Sequence, residues 1–109
     1  AEIRKDDIVI LRTSNEYKKT FDFNFVYLTE TGAKFLASKN IKGVGINALG
    51  IERSQPDHGT HNALLGKDIA IFEGLELSKI NAGRYFFIGL PLKFKDADGS
   101  PMRAVLVKF

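Results

Sequence analysis

Residues 29–46 read TETGAKFLASKNIKGVGI, a helix signal followed by a buried strand. Thr29 is a good N-cap residue, and Glu30 lies in the first turn, where the helix dipole favours a negative charge. Small and apolar residues then recur at helical spacing, at Ala33, Leu36 and Ala37. We therefore predict a helix of about three turns over residues 30–39 and a buried strand over residues 41–46.

The sequence on both sides of this unit predicts further strands. Apolar and β-branched residues form short runs bounded by charged or turn residues, which is typical of buried strands. These runs occupy residues 7–13, 69–72, 84–92 and 101–107. A loop that places aromatic side chains in the core is predicted over residues 21–28, a polar loop over 49–60 and a helical turn over 61–65. No linker divides the chain, so residues 1–109 are predicted to form a single domain or half-domain of mixed α/β class.

The composition is that of a folded protein and excludes several classes. Hydrophobic residues make up 44% and charged residues 27% of the chain, a balance typical of a globular domain. No apolar stretch approaches the roughly 20 residues needed to cross a bilayer, so we expect no membrane partner. The net charge of +3 is spread along the chain, so we expect no nucleic-acid partner. The absence of cysteine excludes disulfides, and with no visible signal peptide it favours a cytoplasmic protein.

Candidate metal ligands are few, because the chain has no cysteine and only two histidines. Any transition-metal site must therefore use histidine and carboxylate ligands. His58 and His61 lie three residues apart, and Glu73 follows His61 by twelve residues at the end of a predicted strand. Two interpretations stay open, a metal site or a polar loop with ordinary histidines, of which His58 is expected at the surface. The sequence contains no serine-nucleophile elbow, Walker loop or dinucleotide fingerprint.

Several short motifs, taken in order and spacing, resemble a known family. They are HNALLGKDIAIFEGL at residues 61–75, LPLK at 90–93, GSPMRA at 99–104, DIVILRT at 7–13 and GVGI at 43–46. Together they resemble the C-terminal half of the cyclase family of metal-dependent hydrolases. That family includes bacterial kynurenine formamidases and isatin hydrolases. The resemblance spans residues 3–107.

The resemblance implies a fold, a chemistry and a pair of metal ligands. The family fold is a swivelling β/β/α arrangement around a partly closed sheet. The family chemistry is metal-assisted hydrolysis of an amide in an N-formyl aromatic or cyclic compound, so the implied substrate is a small molecule. In the family, a histidine and a glutamate twelve residues apart bind the metal, and His61 and Glu73 match them. The implied ion is zinc or manganese, and the general base would come from the other half of the family domain.

Two departures from the family pattern favour a site that this chain does not complete alone. Asn47 stands where the family usually has aspartate, a change that removes a charge. The family's HxGTHxD metal motif belongs to its N-terminal half, and residues 58–61 read HGTH without the following aspartate ligand. We therefore expect either the missing N-terminal half as a second chain or a homo-oligomer. The alternative function is a non-catalytic structural or assembly domain of a hydrolase-like oligomer.

A half-domain is expected to expose the apolar surface that its partner covers. Contiguous apolar patches larger than a few hundred Å² are usually covered by partners. The candidates are residues 21–25, FDFNF, and residues 84–90, RYFFIGL.

Overall fold

The computed structural model describes residues 2–15, 24–92, 95 and 99–108, and these residues form five strands and two helices. In chain order the elements are β1 (Ile8–Leu11), α1 (Glu30–Ser38), β2 (Gly43–Ile46), α2 (Gly59–Leu65), β3 (Ala70–Phe72), β4 (Phe86–Pro91) and β5 (Met102–Val107). The prediction of a mixed α/β fold is confirmed. Within the described ranges, no helix has the length and apolar character that a membrane crossing requires.

Strands β1, β2 and β3 form a parallel sheet with β2 in the centre. The register pairs Ile8 with Gly43 and Gly43 with Ala70, so the three strands begin at the same level. All four residues of β2 are buried, as expected for the central strand of a parallel sheet. The carboxyl ends of parallel strands meet at one edge of the sheet, where α/β folds place their ligands. This edge positions the candidate site.

The hydrophobic core lies between this sheet and the two helices, and we call β1, β2, β3, α1 and α2 together the parallel unit. The helices pack against each other, and their buried side chains join those of β2 in one cluster. The largest apolar side chains at its centre are Val44, Ile46, Ile51, Leu64 and Ile69. Burial of this kind stabilises a domain by about 1.5–3 kcal/mol for each large apolar side chain.

Helix α1 begins as the sequence predicts. The Thr29 hydroxyl accepts a hydrogen bond from Gly32 N at 3.1 Å and caps the helix. The three residues predicted at helical spacing, Ala33, Leu36 and Ala37, are buried. The helix ends at Ser38, one residue before the predicted end.

Helix α2 begins at Gly59, two residues before the predicted helical turn. Side chains of the preceding loop accept its first N–H groups. Thr60 N donates to Gln55 Oε1 at 2.8 Å, and His61 N donates to Glu52 Oε1 at 2.9 Å. These partners lie five to nine residues away, so the local sequence pattern at the helix start does not contain them.

Strands β4 and β5 form a separate two-stranded antiparallel sheet, which we call the ribbon. The register runs from the pair Phe86–Val107 to the pair Pro91–Met102. One face meets the parallel unit, where the ring centroids of Phe72 and Phe87 lie 5.0 Å apart. The opposite face carries the exposed apolar side chains of Phe86, Leu90, Val105 and Val107. The described strands thus form two sheets, whereas the resemblance implied one partly closed sheet.

Of the two stretches predicted to expose apolar surface, the ribbon stretch does so. The stretch 84–90 contributes Phe86 and Leu90, both more than half exposed. Residues 21–23 lie outside the described part of the chain. Phe25 is partly buried against the core. The prediction that this segment places an aromatic ring in the core is confirmed for Phe25.

Candidate metal centre

The candidate site lies at the carboxyl edge of the parallel sheet, beside the start of α2. Strand β2 ends at Ile46 and β3 at Phe72, so the loop after β2 and Glu73 leave the sheet at the same edge. A backbone hydrogen bond from Gly74 N to Ala48 O, 2.6 Å long, joins the two segments. The position of Glu73 is therefore set by the sheet itself.

The structure brings the two residues singled out by the sequence, His61 and Glu73, next to each other. His61 Nε2 lies 3.8 Å from Glu73 Oε2, and the side chains are 33% and 36% exposed. Glu73 Oε2 also accepts a hydrogen bond from Ile51 N at 2.7 Å, which ties the carboxylate to the loop after β2. One imidazole nitrogen and one carboxylate oxygen thus lie close together at a solvent-accessible edge.

A third residue, Glu52, completes the cluster, and the sequence analysis missed it. Its side chain is only 7% exposed, and its Oε1 lies 2.5 Å from His61 Nδ1. The sequence does place an acidic residue in the predicted polar loop, nine residues before His61. Because a metal-binding histidine commonly donates its second ring nitrogen to a carboxylate, this loop was the place to search for one.

His58 lies beside Glu52 on the exposed side of the cluster. Its side chain is 72% exposed, and its Nδ1 lies 3.3 Å from Glu52 Oε2. The residue precedes α2 in a left-handed conformation with φ of 49°, so it does not share a helix face with His61. The expectation of a surface position for His58 is confirmed. Ligand atoms of Glu52, His58 and His61 all lie within 4.8 Å of one another, which is compact enough to hold a metal ion.

The electrostatic balance at Glu52 favours its charged form. Burial by itself raises the pKa of Glu52, since a desolvated carboxylate is disfavoured. The hydrogen bonds from the His61 backbone and side chain, together with electrostatic interactions with His61 and His58, outweigh this effect and lower the pKa of Glu52. Glu52 is therefore a carboxylate at neutral pH and acts as a hydrogen-bond acceptor.

Asn47, at the start of the same loop, has a structural role that explains its amide. Its Oδ1 accepts hydrogen bonds from Thr13 N at 3.0 Å and from the Thr13 hydroxyl at 2.6 Å. Its Nδ2 donates to Thr13 O at 3.2 Å and to Asn15 O at 2.9 Å. A carboxylate has no donor for the two carbonyl oxygens. Asparagine is thus the residue that this position requires in the present chain.

Comparisons with known proteins identify the family. The family model described as "Putative cyclase" matches residues 1–53. Cyclase-like protein 1 of Arabidopsis thaliana is 36% identical over 107 residues, which cover 92% of this chain and 42% of that protein. Cyclase-like protein 3 of Oryza sativa subsp. japonica is 38% identical over 107 residues, with coverages of 92% and 40%. The chain thus spans about two fifths of the length of these relatives.

Solved structures agree with the sequence comparisons. One, described as a potential metal-dependent hydrolase with cyclase activity, superposes with a TM-score of 0.92 at 42% identity and covers 97% of this chain. Another, described as a predicted metal-dependent hydrolase from Bacillus stearothermophilus, gives 0.91 at 43% identity and covers 96%. This chain corresponds to 53% and 51% of those two chains. The chain therefore belongs to the cyclase family and represents about half of a solved family chain.

Proposed function

We propose that this chain supplies part of the metal centre of a metal-dependent amide hydrolase, with His61 and Glu73 as two of the ligands. The observation that carries the proposal is the 3.8 Å separation between His61 Nε2 and Glu73 Oε2. The descriptions of the two similar solved structures as metal-dependent hydrolases support the same chemistry.

The donor set fits a divalent ion. Zinc binds histidine nitrogen at about 2.0–2.1 Å and carboxylate oxygen at about 2.0–2.2 Å. The 3.8 Å separation is below the sum of two such bonds, so a single ion can contact both atoms. Imidazole and carboxylate ligands suit zinc and manganese, and we propose one of these as the ion.

The proposed reaction is hydrolysis of a small N-formyl aromatic or cyclic amide. A divalent ion bound there would lower the pKa of a water molecule and polarise the amide carbonyl. His61 and Glu73 hold their donor atoms at the sheet edge, and Glu52 and Ile51 N fix the orientation of those side chains. The substrate class follows from the family resemblance.

We further propose that another polypeptide part completes the site. Catalytic zinc sites normally use three protein ligands, and the pair proposed here provides two. The chain spans about half of the similar solved chains, and the ribbon exposes an apolar face. The remaining part of a swivelling β/β/α family domain, as a second chain, fits both observations, and a second copy of this chain is the alternative partner.

Native mass spectrometry of the purified protein tests the metal and the partner together. We expect a complex that contains a second polypeptide or a second copy, with at least one divalent ion. His61→Ala and Glu73→Gln should each remove the ion, whereas His58→Ala should retain it. Metal-dependent amidase activity from the isolated, homogeneous chain would contradict the proposal that the site is incomplete.

A second candidate function, a non-catalytic assembly domain, is favoured by the hydrogen bonds that the same side chains make. Glu73 binds Ile51 N, and His61 binds Glu52, so both residues brace the loop after β2 without any metal. If this were their only role, His61→Ala would lower the free energy of unfolding and leave the metal content of the assembled protein unchanged. Combined measurement of metal content and stability separates the two functions.

A further inference from the structure

Glu52 is the most buried of the ionisable side chains at the candidate site, although neither the sequence nor the proposed ligand pair gave it a role. Its side chain is 7% exposed, against 33% for His61. A carboxylate is rarely buried unless it is paired and hydrogen-bonded. Glu52 satisfies this condition mainly through one residue, since Oε1 accepts from His61 N and contacts His61 Nδ1.

The two contacts determine which nitrogen of His61 is available to a ligand. A neutral imidazole carries one N–H donor and one lone pair, and an ionised carboxylate only accepts hydrogen bonds. At 2.5 Å from Glu52 Oε1, Nδ1 must therefore carry the proton. The lone pair is then on Nε2, which is the nitrogen that faces Glu73.

We infer that Glu52 is a positioning residue that holds His61 in the Nδ1–H tautomer and directs the Nε2 lone pair towards Glu73. The inference rests on the proposed function, because it assigns Nε2 as the metal-binding atom. Glu52 also fixes the backbone at the start of α2 through His61 N, so it restrains both the ring and the main chain that carries it. Partners of this kind typically account for 10–100-fold in metal affinity.

A different arrangement of the same residues makes the opposite prediction. Glu52, His58 and His61 are close enough together to bind an ion directly, through His61 Nδ1. The 2.5 Å contact argues against this arrangement, because a metal between Nδ1 and the carboxylate needs two bonds of about 2 Å and would separate the atoms. The exposure of His58, at 72%, also argues against a closed three-ligand site.

¹⁵N nuclear magnetic resonance of the imidazole groups distinguishes the two arrangements in the 109-residue chain. The sequence has only two histidines, so each ring is assigned by His58→Ala alone. We expect the metal-free His61 ring to carry its proton on Nδ1, and added Zn²⁺ to shift the resonance of Nε2. A proton on Nε2, or zinc on Nδ1, would overturn the inference without any further variant.

Zinc affinity of matched variants measures the contribution of Glu52. Glu52→Leu keeps the volume but removes both acceptors, and we expect a mixed His61 tautomer and a 10–100-fold weaker zinc affinity by competition titration. Glu52→Gln retains one acceptor oxygen and should recover most of the affinity. His58→Ala is the control and should stay within about twofold of the parent chain.

The outcomes separate this inference from the proposal on which it rests. If the parent chain binds zinc at Nε2 and Glu52→Leu binds equally well, Glu52 has no positioning role while the metal proposal stands. If the purified protein with its partner binds no zinc even when His61 is in the Nδ1–H tautomer, the metal proposal fails and the role of Glu52 towards a metal fails with it. If Glu52→Leu does not fold, Glu52→Gln and the parent spectrum decide the question.

Discussion

The parallel unit and the ribbon differ in how far their apolar strands are buried. Every residue of β2 is buried, and its neighbours β1 and β3 pair with it on both sides. In the ribbon, by contrast, each strand pairs with one other among the strands that the structure describes, and no residue of β4 or β5 is fully buried. Both regions are rich in β-branched and aromatic residues, so composition alone does not explain the difference.

The difference lies in what covers each sheet. In the parallel unit, side chains of α1, α2 and the loop after β2 close the core within this chain. In the ribbon, the face opposite Phe87 exposes four large apolar side chains. Isolated two-stranded sheets are marginally stable in water, which indicates that the ribbon depends on further packing. The candidate site therefore lies on the parallel unit, whose core is closed within this chain, and the ribbon is the proposed contact with a partner.

The largest effect expected from this comparison is on core stability. Leu64 in α2 is fully buried, whereas Leu90 in the ribbon is 61% exposed. Leu64→Ala should lower the free energy of unfolding by about 2–5 kcal/mol, because it leaves a cavity in the core cluster. Leu90→Ala, the same chemical change, should stay within about 0.5 kcal/mol. Urea unfolding of the two variants measures both values, and similar losses would show that the ribbon is packed as firmly as the parallel unit.

Local signals of the sequence explain how much of this architecture could be predicted. The Thr29 cap, the apolar spacing of α1 and the β-branched strands are properties of neighbouring residues, and all were predicted correctly. The start of α2 depends on Gln55 and Glu52, which are distant in sequence. The division into two sheets depends on strand pairing, which no local pattern encodes. Glu52 was missed for the same reason, since its role arises only where the loop folds back onto His61.

A smaller loss of unfolding free energy is expected when Asn47, at the edge of the parallel unit, is replaced. Its amide makes two donor and two acceptor hydrogen bonds to the segment after β1. Asn47→Asp replaces the donors with a carboxylate oxygen facing two carbonyl groups, and should cost about 1–3 kcal/mol of unfolding free energy. The control Asn62→Asp removes one exposed donor bond, from Nδ2 to Asp57 O, and should cost less. An equal effect of the two substitutions would refute the bracing role of Asn47.

Valine-to-threonine substitutions in the core and on the ribbon test whether the ribbon face is a contact surface. Val→Thr keeps the shape and the β-propensity of the side chain, and costs about 1–3 kcal/mol only where the hydroxyl is cut off from water. Val44 is fully buried, so Val44→Thr should destabilise the chain itself. Val105 and Val107 are exposed, so their double substitution by threonine should leave chain stability unchanged and weaken association about tenfold.

Sedimentation velocity over a range of protein concentrations measures this association, and urea unfolding provides the stability control. The expected result is that Val44→Thr changes unfolding and the ribbon double substitution changes assembly. Unchanged assembly in the double variant would mean that the ribbon face is not the surface that a partner covers.

The smallest expected effect concerns the ion pair that joins the two regions. Arg84, two residues before β4, donates to Asp7, one residue before β1, through Nη1 at 2.8 Å and Nη2 at 3.0 Å. The pKa of Asp7 is lowered from 3.8 to about 2. The main cause is the hydrogen bonding from the Arg84 side chain, and the second is the hydrogen bond from Arg4 N. The pair is solvent-accessible, so its contribution to stability is small and decreases with salt.

The sign of the resulting pH dependence follows from the lowered pKa. Between pH 3.8 and 2 the unfolded chain binds a proton at Asp7 that the folded chain does not. The contribution of the pair is therefore complete above about pH 4 and is lost as the pH falls towards 2.

Arg84→Met should move the midpoint of the Asp7 carboxyl resonance up towards 3.8 and reduce the amide protection of the ribbon more than that of β2. Arg103→Met, which removes a guanidinium from β5, should leave the Asp7 midpoint unchanged. Equal loss of protection in both regions would mean that the ribbon and the parallel unit unfold as one body, and that the contrast between them is one of exposure alone.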